Sequence, residues 1–494
     1  MHALDGRPES PWTGNHPSTS YPQLQEKLSV DVAVIGGGIV GLTTALEAVR
    51  SGSSVALLEG RQIGRQVTGR STAKITTQHG LIYRYLMDTV GREKAQLYVD
   101  ANQDGFRFIE TTIASNNIQC CLEERSAFVW IGVDREGLYE LEAEAEAALE
   151  LGLEADIVDR VPLPFATGGG LRFTRQAQFN PAQYMIGLAN VFERAGGRLF
   201  EYSRAVGVSK SDGRWRVKTD SGAVTADHVV QATNIPFAGE PDFTVLTNPR
   251  SHVAAAFRIS AERAPNGMFV SRNGPCRSLR TGWDEDGLFL IALSPKFDTG
   301  HELDVARRIH ELEHWVREHF EVGKLLWRWT NEDYDTQDRL PFAGELSGQN
   351  DRLYVATGFN AWGITNGTAA GLLIAEQIAG RRPAIGSVFD PCRKAQDIGH
   401  TASHIRKEQS SVAAIQAGDG AIVSTGDKKL AVYKTESGIV RALSAACTHA
   451  GCTVTWNNAD KTWDCPCHGS IFSLEGRVIH GPATKDLDEC APPA

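Results

Sequence analysis

The sequence lacks the apolar segments that membrane proteins and exported precursors carry. No run of eighteen apolar residues occurs among the 494 residues, so the pattern predicts no membrane-spanning helix. The first thirty residues have no charged start followed by an apolar core, which is the pattern of a secretory signal. We therefore expect a cytoplasmic protein without a membrane anchor.

An excess of positive charge is also absent. The formal net charge is -10, so neither nucleic acid nor an anionic membrane surface is expected as a partner. The nine cysteines, two of them adjacent at Cys120 and Cys121, do not resemble the disulfide framework of a small secreted domain. Length and a hydrophobic content of 41% fit an ordinary globular protein of two or three domains.

Two short clusters of cysteine and histidine near the C-terminus give the strongest signal in the chain. They read Cys447-Thr-His449-Ala-Gly-Cys452 and Cys465-Pro-Cys467-His468-Gly-Ser470. Two thiolates and two imidazoles are the ligand count of a 2Fe-2S centre with one iron held by Cys and the other by His. A structural zinc ion is the alternative. One residue between Cys447 and His449 is short for a zinc pair, and zinc leaves a cysteine of each cluster unused, so we favour the iron centre.

The two clusters resemble the ligand loops of the Rieske iron-sulfur family. By position, the resemblance implies the ligands Cys447, His449, Cys465 and His468. The two remaining cysteines, Cys452 and Cys467, occupy matching places in the loops and are expected to form a disulfide. The centre would carry out one-electron transfer.

Residues beside the second cluster refine this expectation. Ser470 stands where family members donate a hydroxyl hydrogen bond to a cluster sulfur, and such a donor raises the reduction potential. Phe472 stands where the high-potential respiratory members carry Tyr, so we expect a potential below theirs. Gly481-Pro482-Ala483 is similar to the family's third loop, a rigid turn expected to cover the cluster.

The N-terminal part carries a second redox signature. Residues 31–35 read as a buried strand, followed by Gly36-Gly-Gly38-Ile-Val-Gly41 and an apolar helical stripe. The next strand ends at Glu59, where a carboxylate can accept the hydroxyls of an adenosine ribose. The glycines let the backbone approach a pyrophosphate, and the helix N-terminus supplies free amides. The pattern predicts a dinucleotide site.

We expect this dinucleotide to be FAD. One such fingerprint occurs, at the start of a region of roughly 390 residues, too long for a simple NAD domain pair without a second motif. The region resembles the D-amino-acid oxidase and glycine oxidase superfamily at 64–74, at 227–234, and at 340–344 with 352–363. The implied FAD contacts are Gly36, Gly38, Ile39, Val40, Gly41, Glu59, Gly60, Arg61, Thr72, Ala73, Val206, Ala232, Thr233, Gly358, Trp362, Gly363 and Ile364. No position that aligns with covalently linked relatives is filled, so FAD is expected to bind non-covalently.

The last of these segments leads into a helix that the pattern predicts over residues 365–378. A strand, a glycine loop and a helix in this order would aim helix amides at the pyrimidine end of the flavin, where negative charge appears on reduction. The closing strand and helix of any α/β domain would have the same pattern, and both interpretations can hold together.

Substrate chemistry rests on the resemblance. In amino acid oxidases of this superfamily an arginine pairs bidentately with the substrate carboxylate. Arg280 is our candidate ahead of Arg277, with Lys296 and His301 in the following loop as further candidates. Lys74 lies in a loop that departs from the superfamily's usual pattern, and it stands either near the flavin or on the surface. No side-chain base is strictly required, because a neutral amine can deliver a hydride to the flavin.

The chain is expected to comprise an N-terminal extension, a flavoprotein region, a linker and a small C-terminal domain, at 1–28, 29–392, 393–410 and 411–494. Within the flavoprotein region the FAD-binding parts are about 29–90, 170–235 and 330–390, and the substrate or cap parts are about 91–169 and 236–329. The predicted fold class is an α/β FAD-binding domain, Rossmann-like and of the glycine oxidase type. It carries a β-rich substrate or cap domain and an all-β C-terminal Rieske domain.

Two redox cofactors on one chain predict a path for electrons. We expect an FAD-dependent dehydrogenase or oxidase of an amine or amino acid, with electrons passing singly from flavin to the 2Fe-2S cluster and then to an external acceptor. The alternative is a reductase-like electron-transfer protein that exchanges electrons with a donor protein and has no organic substrate. Absence of a second nucleotide fingerprint argues against direct oxidation of NAD(P)H. A third hypothesis, a redox sensor or structural centre, predicts that replacing His449 leaves turnover intact.

Overall fold

Long helices and strands alternate in the first three quarters of the chain and give way to short strands near its end. The computed structural model describes residues 4–14, 18–346, 351–395, 408–409, 411–426 and 428–492. The helices are α1 (Pro11–Gly14), α2 (Ile39–Arg50), α3 (Val67–Arg70), α4 (Tyr83–Thr89), α5 (Arg92–Asn116), α6 (Leu138–Glu150), α7 (Pro181–Arg194), α8 (Phe243–Leu246), α9 (Val305–His319), α10 (Thr365–Ile378) and α11 (Gly386–Phe389). A 3-10 turn covers Val412–Ala414.

The strands of the described residues form four sheets. They are β1 (Lys27–Ile35), β2 (Val55–Leu58), β3 (Lys74–Ile75), β4 (Glu123–Trp130), β5 (Ala155–Val158), β6 (Gly170–Gln178), β7 (Arg198–Phe200), β8 (Ala205–Ser211), β9 (Arg214–Thr219), β10 (Ala223–Gln231), β11 (Thr247–Arg258), β12 (Met268–Ser271), β13 (Ser278–Asp284), β14 (Gly287–Leu293), β15 (Phe297–Asp298), β16 (Leu325–Thr336), β17 (Phe342–Glu345), β18 (Leu353–Thr357), β19 (Glu408–Gln409), β20 (Asp419–Thr425), β21 (Lys428–Lys434), β22 (Val440–Ser444), β23 (Thr455–Asn457), β24 (Thr462–Asp464), β25 (Ile471–Phe472), β26 (Val478–His480) and β27 (Glu489–Cys490).

The first sheet is the nucleotide-binding layer. Its strands run in the order β17-β18-β10-β1-β2-β7, and β9 and β8 extend it beside β10. β1 pairs in parallel with both β10 and β2, so the carboxyl ends of these strands meet at one edge. Residues 32–35 of β1 are buried throughout, as expected for a strand covered on both faces. The predicted strand, glycine turn and helix are confirmed, and so is the helix predicted over Thr365–Ile378.

The second sheet, the cap sheet, supplies the other wall of the molecule's large cavity. Its order is β15-β11-β14-β13-β12-β4-β6-β3, with β16 paired to β11 and β5 to β6. Helix α9 covers one face with the buried side chains Ile309, Leu312 and Val316, which recur at helical spacing. The opposite face of β11 and β16 is turned towards the nucleotide-binding layer, where both strands contribute side chains to the cavity.

The C-terminal domain consists of two small sheets. One has the order β19-β20-β21-β22-β27 and the other β23-β24-β25-β26. Apart from the parallel pair β19-β20, their pairings are antiparallel. Both cysteine/histidine clusters lie in loops, the first between β22 and β23 and the second between β24 and β25. The predicted all-β fold of this domain is confirmed.

Sheet membership differs from the predicted division of the flavoprotein region. β3 and β6 fall in stretches assigned to the FAD-binding part, yet both belong to the cap sheet, where β3 pairs with β6 and β6 pairs with β4. The sequence pattern of a strand gives its burial but not the sheet that it joins, which explains the difference. Of the predicted linker, residues 396–407 and 410 lie outside the described residues, as do residues 1–3 and 15–17 of the predicted extension. No helix among the described residues is long and apolar enough to cross a bilayer.

The C-terminal domain is docked against the flavoprotein region through specific polar contacts. Thr455 Oγ1 donates to the carbonyl oxygen of Gly300 at 2.8 Å, and Arg70 Nη2 lies 3.3 Å from Asp460 Oδ2. Arg204 Nη2 donates to the carbonyl oxygen of Val478 at 2.7 Å. A Cβ on Gly300, which has φ +72°, would lie 2.7 Å from the backbone nitrogen of Pro466. The two backbones are therefore in direct contact, and the interface leaves no room for a larger side chain at this point.

We predict that Glu144 is a stability determinant of the region that carries the predicted flavin loops. Its buried carboxylate accepts hydrogen bonds from the N–H groups of Ile82, Tyr83 and Arg84 at 2.8–2.9 Å. These N–H groups stand at the start of α4, where the helix itself supplies no acceptor for them. Glu144→Ala should lower the free energy of unfolding by about 3 kcal/mol in urea titrations, because three buried donors lose their acceptor. Glu146→Ala, on the exposed face of the same helix, is the control and should change stability by less than about 0.5 kcal/mol.

Candidate active site and metal centre

A cavity of about 760 Å³ lies between the nucleotide-binding layer and the cap sheet. This volume falls in the range of cofactor and substrate sites. The glycine turn after β1, the loop around Thr72, the turn after β10 and the loop before α10 all contribute to its wall. The segment 478–484 of the C-terminal domain completes the wall. The cavity is therefore shared by all three parts of the molecule.

The glycine turn after β1 fits a dinucleotide because it has no side chains at the points where the backbone makes its closest contacts. Gly36 has φ +103°, and a Cβ there would lie 2.3 Å from the carbonyl oxygen of Ala232. A Cβ on Gly41 would lie 1.9 Å from the carbonyl oxygen of Gly36, so this third glycine allows the helix to pack on the turn. Helix α2 begins at Ile39, whose N–H donates to Thr68 Oγ1 at 3.3 Å, and the first turn of the helix lies at the cavity.

Glu59 shapes the glycine turn. Its side chain is buried, Oε2 accepts the N–H of Gly37 and Oε1 accepts the N–H of Arg61, both at 2.8 Å. Burial raises the pKa of this carboxyl, while the two hydrogen bonds oppose that shift. Each carboxylate oxygen has a further lone pair, so the predicted contact with a ribose remains compatible with this geometry.

The structure brings together most of the predicted FAD contacts. Fourteen of the seventeen residues line the cavity, and Gly41, Val206 and Gly358 do not. Gly41 acts through helix packing, and a Cβ on Gly358 would lie 2.4 Å from the side chain of Thr336, so its role is close packing behind the wall. Arg204 and Ala205 line the cavity next to Val206. The sequence pattern could not separate these neighbours, because strand alternation decides which of them faces inward.

The assignment of Arg280 as the residue that pairs with a substrate carboxylate is corrected by the structure. Arg280 is 2% exposed and is absent from the cavity wall. Its guanidinium donates to the carbonyl oxygens of Thr72, Ala73, Phe179 and Thr281 at 2.7–3.1 Å, and it lies over the ring of Trp12. The planar guanidinium group can donate hydrogen bonds to backbone carbonyl oxygens as well as to a carboxylate. Arg280 therefore fixes the loop that carries the predicted FAD contacts Thr72 and Ala73.

Of the other four substrate-site candidates, two line the cavity and two do not. Arg277 and His301 are absent from the cavity wall, and the Arg277 guanidinium lies over the ring of Trp315. Lys74 and Lys296 line the cavity. Lys74 Nζ donates to Ser278 Oγ at 2.6 Å and to the carbonyl oxygen of Phe269 at 3.0 Å. Burial, with a contribution from Arg280, lowers the pKa of Lys74 to about 7.

Four polar residues that we did not single out from the sequence face the cavity from β11 and β16. Arg250 lies opposite Asp333, and His252 lies opposite Asn331, as cross-strand neighbours. Burial lowers the pKa of His252 to about 3, and among the described residues no group hydrogen-bonds to its ring. Burial raises the pKa of Asp333 to about 6. Polar residues two apart in otherwise buried strands were the signal available in the sequence.

The four predicted cluster ligands converge from two loops. Nδ1 of His449 lies 3.2 Å from Nδ1 of His468, and the thiols of Cys447 and Cys465 are in hydrogen-bonding contact. That contact lowers the pKa of Cys447 and raises the pKa of Cys465, since one sulfur holds the proton that the other gives up. Two sulfurs and two imidazole nitrogens fit a 2Fe-2S cluster of the Rieske type. The ligand assignment itself stays a prediction.

The disulfide predicted between Cys452 and Cys467 is present, with an S–S distance of 2.02 Å. The sulfurs of these two residues and of Cys465 lie within 4.8 Å of one another, a spacing that by itself suits three ligands of one metal ion. The disulfide excludes that set, because neither bridged sulfur is available as a thiolate. It leaves Cys447 and Cys465 as the free thiols of the two loops.

The loop at Gly481-Pro482-Ala483 lies against the second cluster, as its resemblance implies. The N–H of Ala483 donates to Ser470 Oγ at 3.0 Å, and Ser470 also hydrogen-bonds to Cys447. The same loop lines the flavoprotein cavity from residue 478 to residue 484. It therefore separates the two predicted cofactor sites and touches both, a role that the sequence did not indicate.

Comparisons with known proteins agree with both sites. The family model described as FAD dependent oxidoreductase matches residues 31–377, and that of the Rieske [2Fe-2S] domain matches residues 407–491. The Rieske 2Fe-2S iron-sulfur protein YhfW of Bacillus subtilis (strain 168) is 30% identical, over 99% of each chain. Gamma-glutamylputrescine oxidoreductase of Escherichia coli (strain K12) is 25% identical, over 73% of this chain and 86% of its own. Glycine oxidase of Geobacillus kaustophilus, 18% identical, covers 75% of this chain and 100% of its own with a TM-score of 0.61, a similarity of fold.

The corrected role of Arg280 predicts a stability effect. Arg280→Lys should lower the free energy of unfolding by about 2–3 kcal/mol and increase the loss of FAD on ultrafiltration, because one ammonium group cannot serve four carbonyl oxygens. Arg263→Lys, at an exposed position, is the control. An unchanged stability combined with a raised KM for an amino acid would restore the original assignment of Arg280 to the substrate site.

The position of Ser470 predicts an effect on the cluster potential. Ser470→Ala removes a hydroxyl that hydrogen-bonds to Cys447, and the reduced cluster, which is the more negative form, loses more from this change than the oxidised form. Redox titration followed by EPR should show a potential lower by about 60 mV, the one-electron equivalent of about 1.4 kcal/mol. Ser473→Ala, at a serine that bonds Glu475, is the matched control and should leave the potential unchanged.

Proposed function

Because the chain belongs to the family of FAD dependent oxidoreductases and ends in a Rieske [2Fe-2S] domain, we propose that it oxidises an amine or an amino acid and passes the electrons through its own cluster to an external one-electron acceptor. The enzyme class and both cofactors follow from the family. The substrate, the route of the electrons and the acceptor are the proposal. The proposal also includes a cytoplasmic location, which rests on the sequence alone.

The observation that carries the proposal is the shared wall between the two sites. Residues 478–484 of the Rieske domain line the cavity that also contains the glycine turn, and Ala483 in the same segment hydrogen-bonds to Ser470 beside the cluster ligands. An enzyme in which the two cofactors worked independently would not need this contact. Electron transfer between cofactors on one chain also benefits from a fixed, high effective concentration.

Amine or amino acid chemistry is supported by the cap face of the cavity and by the relatives. FAD bound in the cavity would accept a hydride, and the cluster would accept electrons one at a time. Arg250 lines the cavity, and its Nη1 forms an ion pair with Asp298 Oδ1 at 3.0 Å. Other N–H groups of its guanidinium can therefore bind a substrate carboxylate. Two relatives are named for an amine and an amino acid, gamma-glutamylputrescine and glycine. A reductase without an organic substrate would have no use for these polar groups.

Lys74 is the residue that we assign to proton removal from the substrate ammonium group. An aliphatic ammonium group titrates near pH 10, so transfer of its proton to a lysine with a pKa of about 7 costs about 4 kcal/mol. Transfer to His252, with a pKa of about 3, costs about 10 kcal/mol. Lys74 also keeps a free position on Nζ, because Ser278 and Phe269 accept only two of its hydrogen bonds.

Anaerobic titration of the purified holoenzyme tests the proposed reaction. Addition of substrate amino acids or amines should bleach the flavin absorbance and then produce the EPR signal of the reduced cluster. Glycine, other α-amino acids and gamma-glutamylputrescine form the first panel. Bleaching by a reduced ferredoxin alone, with none of the amines active, would support the reductase-like alternative and contradict the proposal.

Lys74→Met tests the proton acceptor. Lys74 is neutral above its pKa, so the wild-type rate of flavin reduction by substrate at limiting concentration should rise with pH through about 7. In the variant the rate at pH 7 should fall by about 10²–10⁴ and this rise should disappear. Lys94→Met, at an exposed position on α5, is the control. A variant that keeps the wild-type pH profile would exclude Lys74 from this role.

A further inference from the structure

One aromatic residue of the cap sheet touches the Rieske domain at a predicted cluster ligand. Tyr334 in β16 is fully buried, and its phenol donates to the carbonyl oxygen of His468 at 3.1 Å. Its ring stacks on the ring of His480, with centroids 6.0 Å apart and planes 20° from parallel. His480 belongs to the segment of the Rieske domain that lines the flavin cavity. Tyr334 therefore contacts both the second ligand loop, at His468, and the loop that separates the two sites, at His480.

The backbone of the same residue holds the loop before α10. The carbonyl oxygen of Tyr334 accepts the N–H of Asn360 at 3.2 Å. Its own N–H donates to Asp333 Oδ1 at 2.9 Å, and Oδ2 of that carboxylate accepts the N–H of Ala361. Asn360 and Ala361 both line the flavin cavity with positive φ angles of 55° and 72°, so this loop needs external support for its shape.

The Rieske ligand loop approaches β16 so closely that only a glycine fits next to His468. A Cβ on Gly469, which has φ +79°, would lie 2.3 Å from Glu332 Oε1 and 2.8 Å from Tyr334 Oη. The same Glu332 lies 3.1 Å from Nδ1 of His480. These contacts leave no gap between the strand and the loop, so the position of the cluster relative to β16 is fixed.

We propose that Tyr334 is the positioning residue that couples the flavin site to the iron-sulfur centre, because it joins Asn360 of the cavity loop to the peptide of His468, while the neighbouring Asp333 holds Ala361. This inference rests on the proposed electron flow from FAD to the cluster. Other interface contacts, such as Arg204 with Val478 and Asn234 with His480, reach the third Rieske loop and not a ligand residue. Tyr334 connects a ligand residue with the cavity loop directly.

Electron transfer from the flavin to the cluster requires a one-electron carrier outside the chain. With both cofactors bound, each transfer would remove one electron from reduced FAD and reduce one Fe(III) of the cluster to Fe(II), and the protons of the reduced flavin would pass to solvent. The cluster holds a single electron, so a one-electron carrier protein outside the chain must remove the first before the second follows. The Tyr334 phenol keeps its proton throughout, because it acts as a hydrogen-bond donor to the carbonyl oxygen of His468.

Tyr334→Phe in the full-length holoenzyme tests the proposal, since it keeps the ring and removes the donor. FAD is photoreduced by blue light with EDTA, which needs no substrate, and cluster reduction is followed by rapid-freeze EPR. We expect cluster reduction to slow by about twofold to tenfold, the equivalent of one neutral hydrogen bond. The cluster potential should also fall, because the carbonyl next to the cluster loses its donor. Tyr433→Phe, which keeps the ring that packs on Trp456 in the Rieske domain, is the matched control.

Tyr334→Leu removes ring and hydroxyl together and should slow cluster reduction further than Tyr334→Phe. A Tyr334→Phe protein with wild-type rate and potential would overturn the proposal. Loss of either cofactor from this variant would overturn it as well, because the role of Tyr334 would then be structural. If the wild-type cluster receives no electron from photoreduced FAD, the proposed function fails instead, and the two failures are thereby distinguished.

Discussion

The close contact between the Rieske ligand loop and strand β16 is the constraint on which the arrangement of this protein depends. It is possible because Gly469 has no side chain where Glu332 and Tyr334 approach the loop. A tethered domain with a small interface would be expected to move relative to its neighbour. Here hydrogen bonds at Thr455, an ion pair at Asp460 and backbone contact at Gly300 hold one position. A single docked geometry gives the two redox sites one separation instead of a distribution.

Desolvation governs the charges in the cavity more strongly than the nearby ions do. It is the largest cause of the lowered pKa values of Lys74 and His252 and of the raised pKa of Asp333. The consequence differs with the reference value of each group. Histidine becomes permanently neutral near pH 7, lysine comes close to half ionised, and the aspartate remains mostly ionised because its raised pKa is still about 6. In this cavity the residue type therefore decides which side chains are charged near pH 7.

Sequence motifs predicted both cofactors correctly because each motif consists of residues that are close together in the chain. The glycine turn needs residues that are adjacent in the chain, and the two ligand loops need only a disulfide and a pair of short sheets to bring them together. Arg280 shows where this reasoning fails. The resemblance to amino acid oxidases implied a carboxylate anchor here, yet the fold puts four backbone carbonyl oxygens around its guanidinium. Which acceptor a buried arginine meets depends on distant segments, and local spacing carries no information about them.

The sequence by itself therefore determined the fold class, the glycine cradle, the disulfide and the residue types offered to iron. Only the tertiary structure decided that Arg250 and His252 face the cavity from β11, that Lys74 lines the same cavity, and that the third Rieske loop forms part of its wall. The physical reason is the range of the interactions. Turns, strands and loop motifs follow from neighbouring residues, whereas burial, cross-strand pairing and domain docking are set by contacts between segments that lie far apart in the chain.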